Sequence, residues 1–193
     1  MVYPIERIAK DAPSTLPPGT AIGDPLQHLV ACHERIEQHL QILERAVGAL
    51  RSTQEDERQQ AREALSKALS FLKTMGTLHT QDEEDSLFPR LRAHLGDDPF
   101  ALGELMAMLE TQHREKEGVY AELVGCVSAF PAAPSAPTAE QAGRCEGLVA
   151  QLTGIYRPHI LIENERLLPL SGECLPKAAL DEIREEMRDR HKL

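Results

Sequence analysis

The chain has 193 residues, of which 41% are hydrophobic, so it is long enough for one domain with a single buried core. Its 21 lysines and arginines against 31 aspartates and glutamates give a net charge of −10, which excludes the basic surface that a nucleic-acid-binding protein needs. No apolar run approaches the ~20 residues of a membrane span, and the four cysteines have no C-x-x-C spacing, as expected of reduced thiols in a cytoplasmic protein.

The N-terminal segment contains prolines and scattered charges in place of the apolar stretch of a secretory signal. We therefore expect an extended arm over residues 1–23. The first helix is predicted to begin after Asp24 as its N-cap, with Pro25 in the first turn. Its apolar line advances by alternating steps of four and three residues, which is typical of a bundle helix. The members of that line are Leu29, His33, Ile36, Leu40, Leu43, Val47 and Leu50.

The second helix is predicted to begin at a capping-box pattern formed by Ser52 and Glu55. Its inner line ends with His79 and Glu83. Pro89 should end this helix or convert it into a short extension, because proline removes a helical hydrogen bond.

The third helix follows a Gly-Asp-Asp-Pro break and carries His113 on its inner line. A proline-rich loop over residues 131–137 then leads to the fourth helix. This helix is predicted from about Thr138 to Leu168, where Pro169 should stop it.

No strand-like alternation of any length interrupts this pattern. The predicted fold class is all-α: an antiparallel four-helix bundle over residues 24–170. The C-terminal segment, residues 171–193, is expected to contribute one further amphipathic helix that packs on the outside of the bundle.

Four histidines are each followed four residues later by a glutamate, and the second half of the chain repeats the first at an offset of 80 residues. Such a spacing puts both side chains on one helical face, with Cβ atoms about 5–6 Å apart. Carboxylates can bridge two cations while imidazoles fill terminal positions, and this ligand set favours iron, zinc or manganese over calcium or magnesium. The four pairs are His33–Glu37, His79–Glu83, His113–Glu117 and His159–Glu163.

The segments from His79 to Pro89 and from His159 to Pro169, together with His33 and His113, resemble the hemerythrin-like, or HHE cation-binding, domain. The resemblance implies a non-haem di-iron centre with carboxylate and oxo or hydroxo bridges, which binds dioxygen, nitric oxide or peroxide, or simply iron. It also implies the role of each ligand. The terminal ligands would be His33, His79, His113 and His159, and the bridges would be Glu83 and Glu163.

One departure concerns the third helix, where oxygen-carrying hemerythrins have a second histidine and this chain has Glu117. In the repeat, Lys116 is the counterpart of Ile36. Because a lysine does not easily point inward, we expect the third helix to roll Glu117 toward the centre as a further metal ligand. Glu37 is expected to form an exposed helical pair instead.

The remaining polar residues near these motifs are expected to lie outside the site. Asp82, Glu84 and Asp85 are predicted to be solvated, and Glu84 falls opposite Asn164 in the repeat, so a required carboxylate is not supported there. Four further histidines lie off the repeated pattern and are expected at the surface. They are His28, His39, His94 and His191.

These observations favour a di-iron protein that binds or senses a small diatomic or peroxide ligand. An enzyme that decomposes peroxide or nitric oxide, or that donates iron for cluster repair, is the alternative. It has less support, because the chain has no nucleophile motif, phosphate loop or separate substrate domain. A zinc-bound structural bundle is the non-redox alternative. No protein partner can be assigned, and no nucleic-acid or membrane partner is expected.

Overall fold

The computed structural model describes residues 22–96, 100–133 and 135–192, and their regular structure is entirely helical. This confirms the predicted all-α class. The α-helices are, in chain order, α1 (Pro25–Ala49), α2 (Glu55–Gln81), α3 (Phe88–His94), α4 (Leu102–Ser128), α5 (Ala139–Ile162), α6 (Leu168–Cys174) and α7 (Lys177–His191). Two π-helices interrupt them: the first (Asp82–Leu87) joins α2 to α3, and the second (Glu163–Leu167) joins α5 to α6.

The long helices α1, α2, α4 and α5 form the bundle, in which α1 packs against α2 and α5, and α4 packs against α5. Two apolar clusters fill its interior, one toward each end. On each long helix the histidine of the repeated motif lies between residues of the two clusters, as His33 does between Leu29 and Ile36. The four histidines therefore form a polar layer between two apolar regions.

The N-terminal ends of α1, α2 and α5 can be compared with the sequence prediction, and one of the three differs from it. Asp24 caps α1 as predicted, because its side chain accepts hydrogen bonds from two backbone amides of the first turn. At α2 the predicted capping box is wrong: Gln54 is the N-cap, and the Ser52 hydroxyl accepts from the Gln54 amide instead. Helix α5 has the capping box, formed by Thr138 and Gln141.

The π-helices let the chain remain helical through Pro89 and Pro169. At the end of the first π-helix the amide of Phe88 donates to the carbonyl of Glu83, five residues earlier, so each turn holds an extra residue. Each proline then falls in the first turn of the following α-helix, where its missing N–H costs little. The predicted stop at Pro169 is therefore wrong, and the helical path continues to Cys174.

Helix α7 packs on α1 and the first π-helix. Arg90 on α3 pairs with Glu182 and Glu186 on α7. The predicted N-terminal arm lies outside the described residues apart from Ile22, which is buried, and Gly23. No helix in the described part of the chain is both long and apolar enough to cross a membrane.

Candidate metal centre

Six of the seven residues predicted as metal ligands meet in the middle of the bundle. They come from all four long helices and from both π-helices, and every one is buried. We refer to them as the candidate metal centre: His33, His79, Glu83, His113, His159 and Glu163.

The four imidazoles form two pairs through their Nε2 atoms. His33 Nε2 lies 3.0 Å from His79 Nε2, and His113 Nε2 lies 3.1 Å from His159 Nε2. Two nitrogens bound at right angles to one ion, each about 2.1 Å from it, would be about 3.0 Å apart. Each pair therefore has the spacing of two ligands of a single ion.

The two carboxylates lie between the histidine pairs. One oxygen of Glu163 is 3.1 Å from His33 Nε2 and its other oxygen is 3.1 Å from His159 Nε2. Glu83 is placed in the same way, with one oxygen 3.3 Å from His79 Nε2 and the other 3.3 Å from His113 Nε2. Each carboxylate thus presents one oxygen to each histidine pair, which is the arrangement of a bridge.

Both carboxylates are completely buried, and among the described residues no group donates a hydrogen bond to their oxygens. A buried carboxylate that accepts no hydrogen bond is strongly unfavourable. Two cations would supply the missing partners, since Glu83 and Glu163 belong to both of the overlapping four-residue groups whose ligand atoms lie within 4.8 Å of one another. The residues present therefore fit a pair of metal ions.

Outer hydrogen bonds orient two of the imidazoles in the same way in each half of the chain. The Nδ1 atom of His33 lies 2.7 Å from Asn164 Oδ1, and that of His113 lies 2.6 Å from Glu84 Oε1. These pairs are related by the 80-residue repeat. An acceptor at Nδ1 leaves the Nε2 lone pair free for a metal. The prediction that Glu84 is merely solvated is therefore wrong, because its side chain is only 36% exposed and positions His113.

The second set of outer partners differs between the halves. His159 Nδ1 lies 2.9 Å from Gln112 Oε1, whereas the Nδ1 atom of His79 has no hydrogen-bond partner within the described part of the chain. Cys32 occupies the position equivalent to Gln112 in the repeat and offers no amide oxygen. The repeat therefore predicts which imidazole lacks an acceptor.

Burial keeps most of the imidazoles neutral. It lowers the pKa values of His79, His113 and His159, so they can offer lone pairs near pH 7. Burial is the largest single influence on His33 and lowers its pKa, but the contacts with Glu163, the charge of Glu83 and the hydrogen bond with Asn164 together outweigh burial and raise this pKa.

The two carboxylates titrate as a coupled pair. Burial and the charge of Glu163 raise the pKa of Glu83 well above its usual range. Burial acts on Glu163 too, but His159 and His33 outweigh it and hold its pKa well below the usual value. The raised pKa favours the protonated form of Glu83 in the metal-free chain, so metal ions compete with a proton for this carboxylate.

Glu117 is the one predicted ligand that lies outside the candidate metal centre. Its side chain is exposed, whereas the preceding Lys116 is only 5% exposed. The Nζ atom of Lys116 lies 5.0 Å from the centre of the Tyr156 ring, so the aromatic face compensates part of its desolvation. The predicted roll of Glu117 toward the centre is therefore wrong, because Lys116 takes the inward position.

Replacing Glu117 with histidine should consequently change neither the metal stoichiometry nor the absorption spectrum of the iron-loaded protein. The reason is that position 117 faces solvent, away from both ligand groups. Stopped-flow oxidation of the reduced protein should give the same time course for the two proteins. A slower oxidation in the variant would show that α4 rotates when metal binds.

A second buried polar cluster was missed by the sequence analysis. Asp82 is completely buried, contrary to the prediction that it is solvated, and it pairs with Arg190 and with His191, whose Nε2 atom is 2.8 Å from its Oδ2. Arg190 and His191 are more than 100 residues away from Asp82 in sequence, so no local pattern indicates this pairing. His28 and His39 are also buried, and their predicted surface positions are wrong.

The sequence was compared with models of known protein families. The sequence model of the hemerythrin HHE cation-binding domain matches residues 24–171. This range contains the whole candidate metal centre and ends before α7. A search of curated proteins found no similar sequence.

Proposed function

This chain belongs to the hemerythrin HHE cation-binding domain family, and from that premise we propose that it holds two iron ions and binds or senses a small ligand. The ligand would be dioxygen, nitric oxide or peroxide. Cation binding follows from the family and from the buried histidine and glutamate groups. Iron is supported by the ligand chemistry, since mixed imidazole and carboxylate sets suit iron, manganese and zinc.

The observation that carries the proposal is the sharing of Glu83 and Glu163 by two ligand groups. If a single ion took all six side chains, no coordination position would remain for an added ligand. With two ions, each has two imidazoles and one oxygen from each bridge, so open positions remain for a small molecule and for an oxo or hydroxo bridge. A bound iron pair supplies one-electron redox chemistry at these positions.

The surrounding residues are suited to binding a small ligand. Asn164, Glu84 and Gln112 hold three of the imidazoles in one orientation, and the apolar clusters on either side exclude bulk water. A pocket between α2, α4 and α5, lined in part by Lys116, has a cavity volume of about 40 Å³. That volume admits a molecule of a few atoms and supports binding or sensing over turnover of a larger substrate.

Anaerobic titration of the protein with ferrous iron should saturate near two equivalents per chain. Metal analysis after desalting should give the same number of bound ions. On admission of air the protein should develop the charge-transfer absorption of an oxo-bridged ferric pair. Saturation at one equivalent would contradict the proposal. Tight binding of zinc with rejection of iron would favour the structural alternative.

Turnover is tested separately with the iron-loaded protein. We expect peroxide or nitric oxide to be bound in amounts stoichiometric with the metal pairs. Consumption of many equivalents per chain would identify an enzyme instead.

A further inference from the structure

Asp82, the first residue of the first π-helix, lies at the centre of a second group of potential metal ligands. Its Oδ2 atom is 2.8 Å from Nε2 of His191 on α7 and 3.8 Å from Nε2 of His28 on α1. One ligand atom from each of the three residues lies within 4.8 Å of the other two, and no side chain of the group is more than 5% exposed. Two imidazoles and one carboxylate are a well-known set of three protein ligands for zinc.

The approach of His28 to Asp82 is not explained by a hydrogen bond or an ion pair. At 3.8 Å, His28 Nε2 is too far from Asp82 Oδ2 to donate to it. Burial lowers the pKa of His28 to about 4, so its imidazole is neutral near pH 7 and has no charge to attract the carboxylate. Cys32 Sγ also lies 3.6 Å from His28 Nε2, but a thiol is only a weak donor. The Nε2 lone pair is therefore available to a cation.

The distances around Asp82 Oδ2 suit a single small ion. Two ligands at tetrahedral positions, each about 2.0–2.1 Å from zinc, would be about 3.3–3.4 Å apart. The contacts of Oδ2 with His191 and His28, at 2.8 and 3.8 Å, lie on either side of that separation. Movements of about 0.5 Å would therefore bring both imidazoles to the spacing of zinc ligands.

Arg190 orients the carboxylate for such an ion. It pairs with Oδ1 of Asp82, which leaves Oδ2 directed toward the two histidines. An outer hydrogen-bond partner of this kind commonly fixes a carboxylate that binds metal. The charge of Arg190 also interacts with that of Glu186, which offsets part of the positive charge beside the group. His191 is the last residue of α7, and the C-terminal end of a helix dipole favours a cation.

This group depends on α7, which lies beyond the residues that match the family model. Without α7 there would be no His191 and no Arg190 beside Asp82. The group is therefore a feature of this chain that is distinct from the candidate metal centre. Asp82 directly precedes Glu83 in the first π-helix, so an ion bound here would hold α1 and α7 against the segment that carries one bridging carboxylate.

We propose that His28, Asp82 and His191 form a separate zinc site that holds α7 on the bundle, with water as the fourth ligand. Zinc is expected in preference to ferrous iron, because the affinity of a given set of nitrogen and oxygen ligands increases from Fe²⁺ to Zn²⁺. A ferrous titration that saturates at the metal pair would therefore leave this site free for zinc. The site needs no ion in the candidate metal centre, so this inference goes beyond the proposed function.

The test titrates zinc into the iron-loaded, air-oxidised protein in competition with a chromophoric chelator. The wild type should bind one zinc ion per chain and retain its iron, as measured by metal analysis after desalting. His191→Ala should weaken zinc binding by at least about 100-fold, since loss of even an outer partner of a metal ligand commonly costs 10–100-fold. His94→Ala, whose histidine is exposed on α3, is the matched control and should bind zinc like the wild type. Zinc that releases iron and binds equally well to His191→Ala would overturn the site.

A second variant keeps the proposal testable if His191→Ala releases α7 from the bundle. His28→Leu leaves Arg190 and His191 paired with Asp82, so α7 should stay in place while zinc binding is lost. Added zinc should slow hydrogen exchange of the α7 amides in the wild type and have no such effect in His28→Leu.

Wild-type zinc affinity in either histidine variant, or a wild type that binds no zinc beyond its iron pair, would overturn the site. Failure of the wild type to bind two iron ions would instead contradict the proposed function. The zinc test would remain decisive in that case, because the wild type should still bind one zinc ion more than His191→Ala.

Discussion

Glu83→Gln should abolish tight binding of the metal pair, whereas Glu84→Gln should leave it nearly intact. Glu83 is completely buried and faces both histidine pairs, so a neutral amide there removes one bridging charge from both ions. Glu84 only accepts a hydrogen bond from His113, and an amide oxygen can do the same. Asn164 already does so in the other half of the chain. Ferrous titration with metal analysis after desalting measures the difference.

Alanine variants of Glu84 and Asn164 test whether these side chains act by orienting the imidazoles or by their charge. Glu84→Ala and Asn164→Ala remove the acceptor from His113 and His33, and each should weaken metal binding by roughly 10–100-fold, as loss of an outer partner commonly does. The glutamine variant of Glu84 is the matched control. A Glu84→Gln protein as impaired as Glu83→Gln would mean that Glu84 is itself a metal ligand.

Removal of the metal should lower the melting temperature of the protein by roughly 10–20 °C. Each ion held at 100 times its Kd stabilises the folded chain by about 2.7 kcal/mol, so two ions contribute roughly 5 kcal/mol. For a chain of this length each kcal/mol corresponds to roughly 2–4 °C. Calorimetry of the protein with and without ferrous iron under anaerobic conditions measures the shift. A difference of a few degrees or less would contradict the proposed pair.

The difference in melting temperature between the metal-bound and metal-free protein should grow as the pH rises. The pKa of Glu83 is raised in the metal-free chain, so at lower pH the metal must displace a proton from it. His33, whose pKa is also raised, adds to this competition. Metal affinity, and with it the metal-dependent part of the stability, therefore increases with pH until both groups lose their protons. A shift that is independent of pH would show that neither group carries a proton before binding.

The repeated motifs predict most of this site because they depend only on residues that are close together in the sequence. A histidine and a glutamate four residues apart share a helical face whatever the rest of the chain does, and this spacing places His79 with Glu83 and His159 with Glu163. The apolar line of α1 likewise predicts that His33 faces the core. The bundle and the six residues of the candidate metal centre follow from such patterns.

Two features depend on more than local spacing. The competition between Lys116 and Glu117 for the inward position is decided by the Tyr156 ring and by the buried carboxylates, which come from other helices. The π-helices insert an extra residue per turn, so an ideal α-helical period misplaces every residue beyond Glu83 and Glu163. The spacing of the repeated motifs alone reveals neither effect.

The duplicated halves are not modular in the way that stacked structural repeats are. Each half supplies both imidazoles of one pair, but its glutamate serves the pair of the other half as well. The outer acceptors cross over too, from Glu84 to His113 and from Asn164 to His33. Loss of either glutamate would therefore affect both histidine pairs, so neither half of the chain can form its part of the site by itself.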